Sequence, residues 1–189
     1  MAFPLPMPAF VDSLATPAPT GPGEGHQVVV ERQSLGPQRR RLLATVIIPR
    51  PVEQVWRVLT DYDNLASFIP NLSLSRRLPH PNGGLRLEQV GARCFLNLRF
   101  CARVVLDMVE DYPQRIGFAM VEGDFRQFEG QWRLESATQG KATRLTYDLV
   151  ISPPLAMPVS LIEAYLCQDL TANLRAVSDR TLASPSTLP

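Results

Sequence analysis

Hydrophobic and polar residues alternate along most of the chain between Asn71 and Ser152, which is the pattern of β-strands. The clearest run is a single strand whose polar face carries Arg99, Arg103 and Asp107. Its apolar face carries Leu96, Leu98, Phe100, Ala102, Val104, Leu106 and Met108. One dry face and one largely wet face predict an antiparallel sheet that is covered on one side only.

Short turn segments divide this region into consecutive strands. Asn82-Gly83 is a strong hairpin signal, and prolines or glycines at positions 113, 123 and 140 mark later turns. The strands between the turns continue the apolar face, with inward positions Ile116, Phe118, Met120, Phe128, Gly130, Trp132, Leu134, Leu145, Tyr147, Leu149 and Ile151. Five or six strands joined in this way form a meander.

Helical patterns flank the meander on both sides. Apolar residues recur every three or four positions over 159–177, which predicts an amphipathic helix of about 20 residues. Upstream, a strand over 39–48 precedes two short helices, over 52–59 and 65–69. Because the dry sheet face and the helical stripe must cover each other, we predict an α+β helix-grip fold. In this fold a curved antiparallel sheet of six or seven strands surrounds the long C-terminal helix.

A single helix is about 10–12 Å across with its side chains, so it is too narrow to fill the hollow of so wide a sheet. The geometry therefore permits an internal cavity. We expect residues 1–37 to form a proline-rich tail, disordered or loosely docked, with a short strand over 26–35 as an alternative for its last part. The domain itself is predicted over 38–182, followed by a C-terminal tail over 183–189.

Composition excludes several classes of protein. The net charge is +1, whereas a nucleic-acid binder needs a concentrated basic face, so no nucleic-acid partner is predicted. The three cysteines form no CxxC pair and the chain has two histidines, so neither a metal site nor Ser-His-Asp catalysis is predicted, and no cofactor is expected. No apolar run reaches the ~20 residues of a membrane span. The expected location is cytoplasmic, and the basic cluster Arg39–Arg41 is either a solvated strand start or a transient contact with an anionic membrane.

Residues 51–71, PVEQVWRVLTDYDNLASFIPN, carry a family resemblance. They are similar to the signature of the START-like (SRPBCC) superfamily, including its polyketide cyclase/dehydrase and coenzyme Q-binding types. The segments NGGLRLEQVGARCFLNLRFCARVVLDM and MVEGDFRQFEGQWRLE resemble a cyanobacterial and chloroplast branch of it. The resemblance covers roughly residues 39–180. It implies a fold that binds lipids, quinones, sterols or polyketides, with enzymes among only some members and no portable catalytic motif.

The inward positions supply the candidate ligand-binding residues. Polar groups are few among them: the Tyr147 hydroxyl, the Trp132 N–H and, on a neighbouring strand, Gln89. The predicted cavity lining is Phe68, Gln89, Leu98, Phe100, Phe118, Met120, Phe128, Trp132, Tyr147, Ile162 and Leu166. The alternative is an ordinary solid core. Trp56 is expected to pack its helix on the sheet, and Glu122 and Asp124 to be solvated turn residues.

Three functions are consistent with this pattern. The favoured one is binding, carriage or chaperoning of a hydrophobic small molecule or lipid, quinone-, pigment- or lipid-like, by burial in the cavity. The second is a polyketide cyclase or dehydratase that uses Tyr147 or Gln89 as a hydrogen-bonding group. The third is an interaction module with a filled core. The dry inner face favours a binding protein over an enzyme without deciding the question.

Overall fold

The computed structural model describes residues 27–95, 98–155 and 157–184; of the strand residues 92–95 and 98–100 only the backbone is described. The N-terminal half contains β1 (Val29–Gly36), β2 (Arg39–Ile48), α1 (Val52–Leu59), a 3₁₀ helix (Tyr62–Ser67), β3 (Leu72–Leu78) and β4 (Leu85–Phe95). The remainder contains β5 (Leu98–Asp111), β6 (Arg115–Gly123), β7 (Gln127–Ala137), β8 (Ala142–Ser152) and α2 (Val159–Ala183).

The strands form one curved, unclosed antiparallel sheet of eight strands, in the order β1-β2-β8-β7-β6-β5-β4-β3. Strands β3 to β8 are a meander in which each strand pairs with the next one in the chain. β2 then pairs with β8, in a register that places Arg40 opposite Ile151 and Ala44 opposite Tyr147. The predicted α+β helix-grip architecture is confirmed.

The sheet has eight strands rather than six or seven, and the additional pairing lies at the N-terminal end. β1 pairs with β2 from Val29 opposite Thr45 to Gly36 opposite Arg39, so these residues of the predicted 1–37 tail form an edge strand. Most side chains of β1 are exposed, so it lacks the apolar alternation by which sequence patterns reveal strands. Residues 1–26 and 185–189 of the predicted tails lie outside the described residues.

α2 is 25 residues long and buries one side against the concave face of the sheet. Leu170, Leu174 and Val177 are at most 2% exposed and belong to the same core cluster as Leu42, Leu145 and other inward strand residues. At about 25 cal/mol per Å² of apolar surface, this shared burial is the main stabilisation of the domain. α1 adds Val55 and Trp56 to the cluster.

α2 does not cover the whole sheet. It lies against β1, β2 and α1. Strands are about 4.8 Å apart, so eight of them span about 34 Å, roughly three times the diameter of one helix. The inner faces of the β4–β7 strands are therefore only partly covered by α2, and the 3₁₀ helix packs beside β3 at one end of this space.

The arginines at the start of β2 are held by intramolecular ion pairs. Arg40 Nε lies 2.8 Å from Glu163 Oε2 on α2, and Arg41 donates two hydrogen bonds, of 2.8 and 2.7 Å, to the carboxylate of Asp148 on β8. Arg39 is 4.0 Å from Glu129. This cluster therefore ties β2 to the helix and to the neighbouring strands.

Candidate functional site

A cavity of about 220 Å³ lies between the sheet and α2. Its volume is somewhat below the roughly 300–1,000 Å³ of many ligand pockets, so it suits a small ligand. The hollow permitted by the sequence is thus present. Its described lining is mostly apolar and comes from the end of α1, from the 3₁₀ helix and the loop after it, from the strands β3 to β8, and from α2.

An aromatic wall covers one side of the cavity. It consists of Trp132, Tyr147, Phe118, Phe128 and Phe125, each in ring contact with the next. Trp132 and Tyr147 are stacked with ring centroids 4.1 Å apart, and the other neighbouring rings are 5.5–5.8 Å apart. Aromatic neighbours at these spacings add stability beyond the area they bury and present flat apolar faces to a ligand.

Strand register produces this wall. Trp132 on β7 lies directly opposite Tyr147 on β8, and Phe118 on β6 lies opposite Gly130 on β7. A Cβ at Gly130 would lie 2.9 Å from Cζ of Phe118 and 2.0 Å from the carbonyl oxygen of Asp148. The absence of a side chain at position 130 therefore makes room for the Phe118 ring between its neighbours.

The wall carries one phenolic hydroxyl, that of Tyr147. Its side chain is almost wholly buried, and burial raises the pKa of the phenol above its usual range. Among the described residues, none forms a hydrogen bond with this hydroxyl. A neutral phenol at the cavity wall is thus free to donate to, or accept from, a bound molecule.

Gln89 and Asn173, two of the three amides in the described lining, differ in their hydrogen bonding. Gln89 Nε2 donates to Ser75 Oγ at 3.3 Å, and Ser75 Oγ donates to the carbonyl oxygen of Tyr62 at 2.6 Å, so Gln89 is tied to its own scaffold. Asn173 on α2 is different. Its Oδ1 is shielded from solvent and accepts no hydrogen bond within the described chain.

The rim of the cavity is bridged by a polar contact. Asn71, which has a positive φ of 61°, donates from Nδ2 to Asp169 Oδ1 at 3.2 Å. This contact joins the loop before β3 to α2. Asp169 is the single carboxylate among the described lining residues, and no arginine, lysine or histidine is part of that set. The described wall therefore offers neutral polar groups in an apolar setting, which suits binding by burial better than acid–base chemistry.

The structure brings six predicted site residues together on the cavity wall: Gln89, Phe118, Phe128, Trp132, Tyr147 and Leu166. Phe68, Met120 and Ile162 pack against or within the core cluster and are not part of the lining. Ile162 is buried one turn before Leu166, and Phe68 lies under the guanidinium of Arg180, 5.7 Å from its ring centroid. The side chains of Leu98 and Phe100 lie outside the described part.

Other candidate residues take the expected structural roles. Trp56 is buried and meets the ring of Tyr112 edge-on. Glu122 and Asp124 are exposed at the β6–β7 turn, where Glu122 pairs with the Arg103 side chain and Asp124 accepts a hydrogen bond from its backbone N–H. Neither carboxylate is a member of the cavity lining.

Sequence reasoning missed part of the lining. The 3₁₀ helix and its loop contribute Tyr62, Leu65, Ile69, Pro70 and Asn71, β3 contributes Leu72, and α2 contributes Asp169, Leu170, Asn173 and Val177 beside Leu166. The available signal was helical spacing, because positions 166, 170, 173 and 177 repeat every three or four residues. Phe125 was missed because it lies in the turn after β6, where alternation no longer applies.

The chain is similar to a known protein family and to solved structures. The family model described as polyketide cyclase / dehydrase and lipid transport matches residues 48–178. The solved Zhui aromatase/cyclase from Streptomyces sp. R1128 is similar at 18% identity and a TM-score of 0.67, over 76% of this chain and 94% of that chain. A STAR-related lipid transfer protein from Xanthomonas axonopodis is similar at 16% identity and 0.64, over 86% and 97%.

A START superfamily protein from Mycobacterium smegmatis is also similar, at 15% identity and a TM-score of 0.62, over 84% of this chain and 98% of that chain. At such identities the likeness establishes a shared fold. A search of curated proteins finds no match. None of the described helices combines the length and apolar character that crossing a bilayer requires.

Proposed function

Because this chain belongs to the polyketide cyclase/dehydrase and lipid transport family, we propose that it binds, carries or chaperones a hydrophobic small molecule in the cavity beneath α2. The single observation that carries the proposal is the aromatic wall facing an apolar cavity of about 220 Å³. We propose a quinone-, pigment- or lipid-like ligand. The START-like resemblance agrees with this family and fold, while the coenzyme Q-binding type and the cyanobacterial and chloroplast branch stay predictions.

Burial supplies the affinity in this proposal. Covering roughly 250 Å² of apolar ligand surface at about 25 cal/mol per Å² gives about 6 kcal/mol before association and ordering costs are subtracted. The rings of Trp132, Tyr147 and Phe118 already contact one another, so little side-chain freedom is lost when a ligand enters. A preformed wall of this kind keeps the ordering cost small.

Native mass spectrometry of the full chain, purified from its own host, tests the proposal. We expect a population carrying a noncovalent organic adduct that is extractable into organic solvent. Retention of that adduct should fall when Leu166→Trp fills the cavity, and should persist in the control Leu161→Trp, at an exposed position of the same helix. Persistently empty wild-type protein that takes up no hydrophobic probe would overturn the proposal.

An alternative function is a polyketide cyclase or dehydratase. The specific observation in its favour is the unpaired Tyr147 hydroxyl in a fold that the Zhui aromatase/cyclase shares. Tyr147→Phe discriminates between the two functions, because lost turnover with retained binding would indicate an enzyme. The third function, an interaction module with a filled core, is not supported by a cavity of this volume.

The proposal includes a cytoplasmic protein without a nucleic-acid partner, which contacts a membrane transiently to exchange ligand. Arg40 and Arg41 are engaged in ion pairs with Glu163 and Asp148, which argues against the arginine cluster as the membrane-binding element. Sedimentation with anionic vesicles of phosphatidylcholine and phosphatidylserine tests the contact. Equal sedimentation of wild type and Arg39→Gln is expected if membrane contact uses other residues.

A further inference from the structure

Two polar atoms at the cavity have no hydrogen-bond partner within the described protein: the Tyr147 hydroxyl on the aromatic wall and Oδ1 of Asn173 on α2. We infer that they anchor a neutral, oxygen-bearing ring compound, and that Asn173 determines the preference for a hydroxyl or carbonyl group on that ligand. This inference rests on the proposed function, since it requires that the cavity binds a ligand.

Asn173 is a polar residue among apolar neighbours on α2. Its neighbours along the buried side of α2 are Leu170, Leu174 and Val177, all at most 2% exposed. A buried amide oxygen without a hydrogen bond costs about 1–3 kcal/mol relative to a satisfied one. An apolar residue would pack at this position without that penalty. A ligand that pairs with the carboxamide removes the penalty, so the protein gains most from a ligand with a polar atom.

The aromatic wall favours a ligand that contains a flat ring system. The ring of Tyr147 is fixed between Trp132 at 4.1 Å and Phe118 at 5.6 Å, so its hydroxyl is presented from a rigid position. Flat ring systems match such a wall, because offset and edge contacts between aromatic groups are favourable. Gln89 is a weaker anchor than Asn173 because one N–H of its amide already donates to Ser75.

The described lining is almost uncharged, which disfavours ionised ligands. No arginine, lysine or histidine belongs to the described lining, and the carboxylate of Asp169 accepts a hydrogen bond from Asn71 at the rim. An ionised ligand group without an opposite charge is strongly disfavoured in an apolar cavity. A carboxamide and a phenol, by contrast, satisfy hydroxyl and carbonyl groups through both donors and acceptors.

Two small probes test the inference on the full chain: naphthalene and 2-naphthol, which differ by one hydroxyl group. Equilibrium dialysis or calorimetry measures both dissociation constants. We expect wild-type protein to bind 2-naphthol at least ~10-fold more tightly than naphthalene, since one satisfied polar group contributes about 1–3 kcal/mol. Ionised 2-naphthoate should bind more weakly than 2-naphthol.

Asn173→Leu should abolish most of this preference while naphthalene binding stays the same or tightens. Asn82→Leu, at an exposed turn, is the matched control and should keep the wild-type ratio. Asn173→Ala is the second variant, used if the leucine variant folds poorly, and Tyr147→Phe should reduce the ratio independently.

Different results would contradict the role of Asn173 and the proposed function. Equal binding of both probes by wild type, or an unchanged ratio in the folded Asn173 variants, overturns the role of Asn173 while leaving the proposed function standing. Binding of neither probe, nor of any larger hydrophobic probe, overturns the proposed function and this inference with it.

Discussion

Trp132 and Tyr147 face each other across neighbouring strands, with ring centroids 4.1 Å apart and ring planes inclined by 23°. This contact contributes both to the hydrophobic core and to the cavity wall. Tyr147 belongs to the buried core cluster, Trp132 packs against that cluster, and both residues line the cavity. Substitutions at these positions therefore separate the contribution of packing from that of the hydroxyl.

Tyr147→Phe should leave the stack intact and remove only the hydroxyl. Because that hydroxyl has no partner in the described protein, we expect the free energy of unfolding to change by less than about 0.5 kcal/mol or to rise slightly. Tyr147→Ala, which removes the ring, should cost about 3–5 kcal/mol. Urea unfolding followed by tryptophan fluorescence measures both. A loss above about 1 kcal/mol for the phenylalanine variant would show that the hydroxyl is hydrogen-bonded in the empty protein.

Gly130→Ala should be among the most damaging single-methyl changes in the sheet. The added Cβ would lie 2.0 Å from the backbone oxygen of Asp148, so β8 or the Phe118 ring must move. We expect a loss of about 3 kcal/mol or more in the free energy of unfolding, at or beyond the upper end of ordinary overpacking.

Gly117→Ala is the matched control on β6. Its added Cβ meets neighbouring atoms at 3.8–3.9 Å, which is ordinary van der Waals contact. Alanine is also entropically favoured over glycine in a strand. Thermal unfolding should therefore separate the two variants by several degrees, with Gly117→Ala close to wild type. Similar losses in both would contradict the close packing of Phe118 over Gly130.

The Arg41–Asp148 pair predicts a pH-dependent contribution to stability. Asp148 is 8% exposed, and the hydrogen bonds from Arg41 hold the pKa of its carboxyl below the ordinary value although burial opposes this. A depressed pKa stabilises the fold above the unfolded value of about 3.9, and this contribution disappears as the pH falls through the folded value. Arg41→Gln should cost about 1–2 kcal/mol at pH 7, discounted because Arg41 is 39% exposed.

Urea unfolding between pH 7 and pH 3 tests this prediction, and the difference from wild type should narrow below about pH 4. Arg115→Gln is the control, because Arg115 and Asp111 form a pair with both side chains about half exposed. Its cost should stay below about 1 kcal/mol. If the loss of unfolding free energy in Arg41→Gln did not change with pH, it would come from packing of the aliphatic part of the arginine side chain and not from the ion pair.

Two substitutions at Asn71 distinguish the energetic cost of its backbone conformation from the loss of its hydrogen bond to Asp169. Its φ of 61° lies in the left-handed region, which asparagine and glycine tolerate better than alanine. Asn71→Ala should therefore cost about 1–2 kcal/mol of stability, while Asn71→Gly should cost less, although both lose the hydrogen bond to Asp169. Both should release bound 2-naphthol faster than wild type in stopped-flow measurements. Equal stability of the two variants would show that the backbone conformation contributes little.

Regular alternation made most of the sheet predictable. Val104 and Leu106 on β5 line the cavity as the two-residue period requires, whereas Arg103 and Asp107 lie on the opposite face and form ion pairs. β1 could not be predicted with the same strength, since its pairing depends on backbone hydrogen bonds at the sheet edge rather than on buried side chains.

That a cavity exists could be predicted from the sequence, but only some of its lining residues could. Inward strand residues such as Phe118 and Trp132 reach the wall because strand geometry fixes their direction. On α2 the apolar spacing indicates which side of the helix is buried, and Leu170, Leu174 and Val177 are buried accordingly, but that spacing does not include the polar residues beside the apolar stripe. Asn173 and Asp169 were therefore overlooked.

The pairing of β2 with β8 has a consequence for how the chain acquires its structure. Arg41 and Asp148 are 107 residues apart in the chain, yet they are bound side by side. During synthesis, β2 has no strand to pair with on this side until β8 has left the ribosome. Sheets completed by such distant segments fold slowly, because the entropy of closing a long loop must be overcome first. The nascent chain thus exposes an apolar strand for most of translation, and assembly is completed only when the last strand and helix arrive.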